Sequence, residues 1–501
     1  MLLTASLFKY NTYTLKNIVI LGAILLSRNI DDLRGYSKDA LELLTRTALS
    51  IGDMVIVSTH HGEMSGILMP RYESADKNHI VIKLNSGYNI GIEISKVKSI
   101  SKVVKVHNQE PPFKTTQGKT GKMPNKVDLN LEKTQELSTR EPGKRNLPRI
   151  ALISTGGTIA SKIDYRTGGV KSALSAVELY ESVPELADYA IIEPEVLLSE
   201  YSENLNTKHW GLIAKRILEK LRSNDYRGII ISHGTDTMHY TASALSFALQ
   251  DFPVPVVLVG AQRSSDRPSS DAATNLIGAT LFVLKSDVTG VFVAMHASSS
   301  DDIIACHVGT RVRKNHTSRR DAFESIDTEP VAIIKDEYVK VPASQMSARM
   351  IRKSLNYDSK NNHLSIKPDF DSRAALLKFH PGFDSRLISH IVASGYKAIV
   401  LEGTGLGHVS RDCFPEIRKA LDAGLMIFMT SQCIWGRTGM TVYNTGRDLL
   451  EMGVISLSDM LPETAIVKVM WVLANSSSLE SAKRLMQENI AYEISPVSPI
   501  I

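Results

Sequence analysis

Cysteine is scarce: three residues in 501, Cys306, Cys413 and Cys433, far apart and with no CxxC pair. That excludes a disulfide scaffold and a cysteine-based zinc finger, and it favours a reducing compartment. Long apolar runs are missing too. The longest covers the nine residues 18–26, where a membrane-spanning helix needs about 20. Charge of one sign is weak, with a net of only +5, too little for a chain that coats nucleic acid. No G-x-S-x-G elbow and no H-E-x-x-H helix occurs. His60, His61, His233 and His307 lack metal-ligand spacing, so no metal site is expected. These absences predict a soluble, cytoplasmic protein, and its length predicts roughly three domains.

What is present divides the chain. Residues 1–34 carry the apolar run behind two scattered lysines, without the cleavage site of a signal peptide. A short buried element and an over-extended start are both open there. Over residues 35–106, Ser37 can cap a helix whose Ala40, Leu41, Leu43, Leu44 and Ala48 recur at helical spacing. Short β-type runs follow at 54–57, 66–69, 79–84 and 88–92, punctuated by Gly62, Gly66 and Gly87. They predict a small all-β barrel, a class that binds RNA, peptides or a neighbouring domain. Residues 107–148 read as a basic, proline-containing linker. From His107 to Arg149 there are nine Lys or Arg against five Asp or Glu, so most of the net charge sits here. Such a composition cannot order itself by burying apolar surface. A solvated spacer is the simpler reading, nucleic-acid contact the other.

From residue 149 strands and helices alternate. Apolar strands at 150–154, 226–232, 254–259 and 290–295, with a helix over 241–249, predict a doubly wound parallel sheet over 149–345. A polar interdomain connection follows at 346–371. A second, smaller α/β domain occupies 372–501, with strands near 374–379, 398–401 and 425–428. The fold class is therefore α/β, two parallel-sheet domains preceded by a small barrel.

Ligands of open parallel sheets bind beyond the carboxyl ends of the strands. Two predicted strands end in threonine-rich turns, Ser154-Thr-Gly-Gly-Thr-Ile-Ala160 and Ser232-His-Gly-Thr-Asp-Thr237. Glycines let the backbone approach a ligand and expose its N–H groups. A threonine hydroxyl beside them could attack a carbonyl while they hold the oxyanion, and Asp236 could orient a base acting on Thr235. Taken singly, either turn could be merely structural. The first is no phosphate loop, since Ile159-Ala160 stand where G-K-[ST] is required. The Gly403, Gly405, Gly407 series ends in His408 and fails the dinucleotide pattern, so a nicotinamide site is not expected.

Together the turns are specific. TGGTIAS followed by HGTDT about 77 residues later resembles the L-asparaginase/glutaminase family, over roughly 149–490. The resemblance implies that Thr158 is the nucleophile on a substrate carboxamide and that Thr235, Asp236 and Lys314 form a second catalytic group. It implies a loop tyrosine, for which Tyr165 is the nearby candidate, seven residues after Thr158 and closer than the family usually has it. Ser202 resembles the clamp on the substrate's amino-acid end, with Glu203 where a glutamine is common. The front of the chain extends the likeness. Gly35–Leu44, Gly66–Tyr72, His79–Leu84, Gly87–Gly91 and Arg311–Phe323 resemble the D-subunit family of archaeal glutamyl-tRNA(Gln) amidotransferases. That implies a glutaminase without a cofactor of its own. A partner E subunit would use ATP and Mg to activate Glu-tRNA(Gln) and take the ammonia, in a heterodimer or a dimer of heterodimers. The alternatives are a free-standing asparaginase/glutaminase, and a tRNA-binding scaffold with an inert amidohydrolase fold.

Overall fold

The computed structural model describes residues 33, 36, 38–60, 62–69, 78–84, 89–103, 147–157, 159, 161–163, 170–172, 183, 185–264, 270–300, 303–342 and 364–497. The predicted cap Ser37 and nearly all of the segments 1–34 and 107–148 lie outside them. The described chain divides into two compact units that meet in sequence at Leu147 and Pro148.

The first unit opens with helix α1 (Lys38–Arg46). Five strands follow: β1 (Met54–Thr59), β2 (Gly62–Leu68), β3 (His79–Leu84), β4 (Asn89–Glu93) and β5 (Val97–Lys102), paired antiparallel in the order β4-β3-β2-β1-β5. Alternate residues of all five, Val55, Val57, Leu68, Ile80, Ile82, Ile92 and Ile100, enter one core with Ala40 and Leu44 of α1. Tyr36 ties the ends together, donating to the Met69 carbonyl at 2.7 Å and accepting from the Val81 N–H at 3.2 Å. The sequence pattern does not reveal β5: in VKSISK only Ile100 is buried, which is too little for an apolar period.

The second unit holds two domains. The larger runs through β6 (Arg149–Gly156), the paired β7 (Ser161–Ile163) and β8 (Val170–Ser172), α2 (Leu186–Tyr189), β9 (Ile191–Glu200), α3 (Thr207–Ser223), β10 (Gly228–Ser232) and α4 (Met238–Ala248). It continues with β11 (Pro255–Val259), α5 (Ala272–Lys285), β12 (Gly290–His296), β13 (Ile303–Val308), the hairpin β14 (Val312–Lys314) and β15 (Phe323–Ser325), β16 (Ala332–Lys335) and β17 (Tyr338–Lys340). Its main sheet has the order β17-β16-β13-β12-β11-β10-β6-β9. Strands β10 and β11 are apolar on both sides because helices cover both faces: Ile230, Val257 and Val259 meet α5, while Ile229, Ile231, Val256 and Leu258 meet α3 and α4.

The expected all-parallel sheet needs correction at one edge. β9, β6, β10, β11 and β12 are parallel, but β13, β16 and β17 are antiparallel. The connection from His296 to Ile303 is the reason, since a parallel crossover takes about a dozen residues or more and this one is far shorter.

The smaller domain is fully parallel, in the order β18 (Ala374–Lys378), β19 (Ala398–Gly403), β20 (Met426–Ser431) and β21 (Ile455–Ser456). Helices α6 (Arg386–Ala393), α7 (Phe414–Asp422) and α8 (Asn444–Met452) cover one face through Ile388, Ile417 and Leu449. Helix α9 (Pro462–Asn475) covers the other and also packs on the large domain, with Phe247 stacked on Trp471. α10 (Leu479–Gln487) completes that layer. The approach to the small domain, residues 364–371, is pinned between the two: Lys367 bonds Ala248 through its N–H and accepts from the Trp471 indole through its carbonyl.

Candidate functional site

The carboxyl ends of β6 and β10 lie side by side because the strands pair in register, Ser154 opposite Ser232. The Thr155 hydroxyl donates to the Ser232 carbonyl at 2.9 Å and locks the two exits together. Beyond them the turns are in backbone contact. Gly157 has φ +84°, and a Cβ there would stand 2.2 Å from the Gly234 nitrogen and 2.4 Å from its Cα. Gly156 has φ +109° and is pressed equally hard against Glu200 at the end of β9. Both glycines are required twice over, by conformation and by space. Gly234 in turn leaves room for Ser202, whose carbonyl accepts from the Thr237 hydroxyl at 2.7 Å. Three strand ends thus converge on one spot.

Into it projects Lys314 from the end of β14. Its Nζ donates to Thr235 Oγ1 at 2.8 Å and to Asp236 Oδ1 at 2.6 Å. The Lys314 side chain is 8% exposed and that of Asp236 71%, so the amine is sheltered while its carboxylate partner faces solvent. Thr235 is buried, with its methyl in the space left by Gly260 at the end of β11. Because Lys314 fills the Thr235 oxygen from one side, the Thr235 proton is free to point elsewhere. Amine and hydroxyl thus form a hydrogen-bonded pair along which a proton can move once the Thr235 hydroxyl turns its hydrogen toward an unprotonated amine.

The surroundings hold this group still. His233 is wholly buried and its pKa is pushed down to about 4 by burial, so the ring is neutral. Its Nδ1 faces the Gly234 carbonyl at 2.7 Å, which assigns the proton to Nδ1. Nε2 then accepts from the Thr241 hydroxyl at 2.9 Å, and that hydroxyl accepts from the Trp210 indole at 3.1 Å. Beside it, Asp271 accepts from the Gln262 and Arg263 N–H groups, and Asn275 donates to the Gly260 carbonyl and braces His296. Sequence reading misses Trp210, Thr241, Asn275 and Asp271 as supports. Asp271, directly ahead of an apolar helix, is the one that local sequence could have flagged, as a cap, although its carboxylate accepts from the preceding loop and not from the helix N–H groups.

The predicted residues therefore divide. Thr235, Asp236 and Lys314 come together, Ser202 is buried next to them, and Glu203 is exposed one residue on. Thr158 and Tyr165 lie outside the described residues; Gly157, which precedes Thr158, sits against Gly234. Among the described residues no three His, Cys, Asp or Glu side chains are grouped to hold a metal, and no helix is long and apolar enough to cross a membrane.

Comparison with known proteins adds a name to each part. Residues 149–347 match the family described as asparaginase, N-terminal; 373–486 match the glutaminase/asparaginase C-terminal domain; and 49–103 match the GatD N-terminal domain. The chain is 45% identical to the D subunit of glutamyl-tRNA(Gln) amidotransferase from Pyrococcus furiosus, over 91% of this chain and 97% of the relative. It is 43% identical to the protein of that name from Methanopyrus kandleri, over 92% and 94% respectively. Among solved structures it is similar to the L-asparaginase of Thermococcus kodakarensis, with a TM-score of 0.60 and 31% identity, covering 70% of this chain and all of that one.

Proposed function

The chain belongs to the family of glutamyl-tRNA(Gln) amidotransferase D subunits, and from that premise we propose that it releases ammonia from glutamine by attack of the Thr158 hydroxyl on the side-chain carboxamide. The observation that carries the reading is the Lys314 amine held at hydrogen-bond distance from both Thr235 and Asp236 beside the TGG turn. A threonine hydroxyl is a weak nucleophile and needs a positioned base. In the first half-reaction the Thr158 oxygen bonds to the carboxamide carbon, its proton passes through Thr235 and Lys314, and the same group returns a proton to the departing nitrogen. Ammonia leaves, and glutamate stays esterified to Thr158. Water then cleaves the ester, releasing glutamate and restoring the hydroxyl. Ser202 and Glu203 hold the amino-acid end of the substrate, and Tyr165 closes on the nucleophile from the loop that follows it.

The chain uses no cofactor of its own. A partner E subunit supplies the ATP and magnesium chemistry, activates the glutamate of Glu-tRNA(Gln) and takes up the ammonia, within a hetero-oligomer in the cytoplasm. Uncoupled ammonia release wastes glutamine, so turnover is low in isolation and rises once partner and charged tRNA are bound. A tenfold rise needs only about 1.4 kcal/mol of bias toward a closed loop. Ammonia release by the chain alone, with partner, and with partner plus Glu-tRNA(Gln) tests this. A second reading, a free-standing asparaginase/glutaminase, is favoured by the likeness to the Thermococcus L-asparaginase. Full-speed hydrolysis by the chain alone, unchanged by either addition, would establish it instead.

A further inference from the structure

Both groups that Lys314 bonds, Thr235 and Asp236, come from the turn after β10 in the large domain's sheet. The lysine arrives on a short hairpin strand, paired with β15 and bonded on its other side to the small domain. Side chains along a strand alternate. Val312 enters the large domain's core and Lys314 reaches Thr235, while Arg311 and Arg313 bond to residues of the small domain. Arg311 is fully buried and commits its guanidinium to four bonds. Nε donates to the Tyr492 carbonyl at 2.8 Å, Nη1 to the Asp459 carbonyl at 3.1 Å, and Nη2 to Asp459 Oδ2 at 3.1 Å and Ser495 Oγ at 2.7 Å. Asp459, equally buried, also accepts from the Ser495 N–H. Two residues on, Arg313 Nε meets Glu463 Oε1 at 3.1 Å, in the first turn of α9. Just before the strand, the Thr310 hydroxyl donates to the Ala491 carbonyl at 2.7 Å, and the Thr310 carbonyl accepts from Thr464 at 2.9 Å.

A buried ion pair is a poor way to add stability, because desolvation offsets its attraction. What a fully bonded guanidinium fork does supply is direction. We propose that Arg311, locked to Asp459 and the 491–495 segment, acts with the Arg313–Glu463 pair as the positioning device for the Lys314 amine. The small domain thereby sets the geometry of a reaction whose other groups belong to the large one. None of these four residues touches substrate; they act through the backbone of β14. The proposal rests on the reading of Lys314 given above.

The test is steady-state ammonia release from glutamine by the full chain carrying R311K, E463Q or K314A, and the doubles R311K/K314A and E463Q/K314A. R311K keeps the charge and loses the fork. E463Q keeps the shape and loses the charge. Shifting a proton-transfer group by about 1 Å costs on the order of 10² in rate, so R311K lowers kcat about a hundredfold, E463Q about tenfold, and KM stays within about threefold for both. In the K314A background neither substitution costs anything further, because nothing is left to position. A merely structural role would instead lower the residual activity again. Thermal unfolding is followed for each variant. Should R311K fail to fold, E463Q carries the test, since the second carboxylate oxygen of Glu463 has no hydrogen-bond partner to lose. Wild-type kcat in both R311K and E463Q beside an inactive K314A, a change confined to KM, or additional loss on top of K314A overturns the inference. Full hydrolysis by K314A itself would instead refute the assignment of Lys314.

Discussion

Replacing Gly157 with alanine asks whether the backbone contact between the two threonine turns matters for catalysis. A Cβ at this position would lie 2.2 Å from the Gly234 nitrogen, whereas ordinary contacts begin at 3.4 Å. The obstacle is backbone, not the end of a flexible side chain, so the turns must separate by about 1 Å, a displacement that costs on the order of 10² in kcat when it moves reacting groups apart. Left-handed backbone adds about 1–2 kcal/mol of strain for a residue with a Cβ, since φ at Gly157 is +84°. The strain alone can be measured elsewhere. Gly424 has φ +86°, nothing within 4 Å of its would-be Cβ, and a place at the opposite end of β20 from the strand-end turns. G424A therefore loses about 1–2 kcal/mol of stability by denaturant unfolding and keeps its rate of ammonia release. G157A loses a similar or larger amount and, in addition, about a hundredfold in kcat. If G157A hydrolyses glutamine at the wild-type rate, the apposition of Gly157 and Gly234 is not what assembles the site.

Two other outcomes are accessible. His233 and His307 are both buried, and burial pushes each pKa down to about 4 from 6.5. Each is neutral when folded and binds a proton more readily when unfolded, so their contribution is complete above pH 6.5 and is lost as pH falls toward 4. Together they remove several kcal/mol, on the order of 3 for each, and the unfolding midpoint should fall over that window; a midpoint flat from pH 7 to 4 contradicts the burial argument. Deleting residues 1–147 should leave the second unit folded and cooperative, because its described strands and helices supply four hydrophobic cores of their own. Circular dichroism and thermal unfolding of the truncated chain decide it, and a molten or aggregated product would make the barrel part of the core.

Much of this protein is legible without coordinates because the signals are local. Runs such as 229–231 and Pro255–Val259 are apolar throughout, which only strands buried on both faces tolerate. Glycine pairs directly after a buried strand mark left-handed, closely approached backbone, and Gly156 and Gly157 are both. The threonines and aspartate beside those turns can be picked out the same way. What local signals cannot carry is pairing at long range. Lys314 reaches Thr235 across 79 residues, on a two-stranded hairpin too short to show a period. The antiparallel edge β13-β16-β17 follows from the length of a connection rather than from the composition of the strands. Arg311 reads in sequence as one more surface cation and is instead fully buried, because the carboxylate of Asp459 and three further oxygens surround it from a segment 148 to 184 residues away. Charge can be written into a sequence anywhere, but its burial is decided only where the folded chain brings enough acceptors together to replace water.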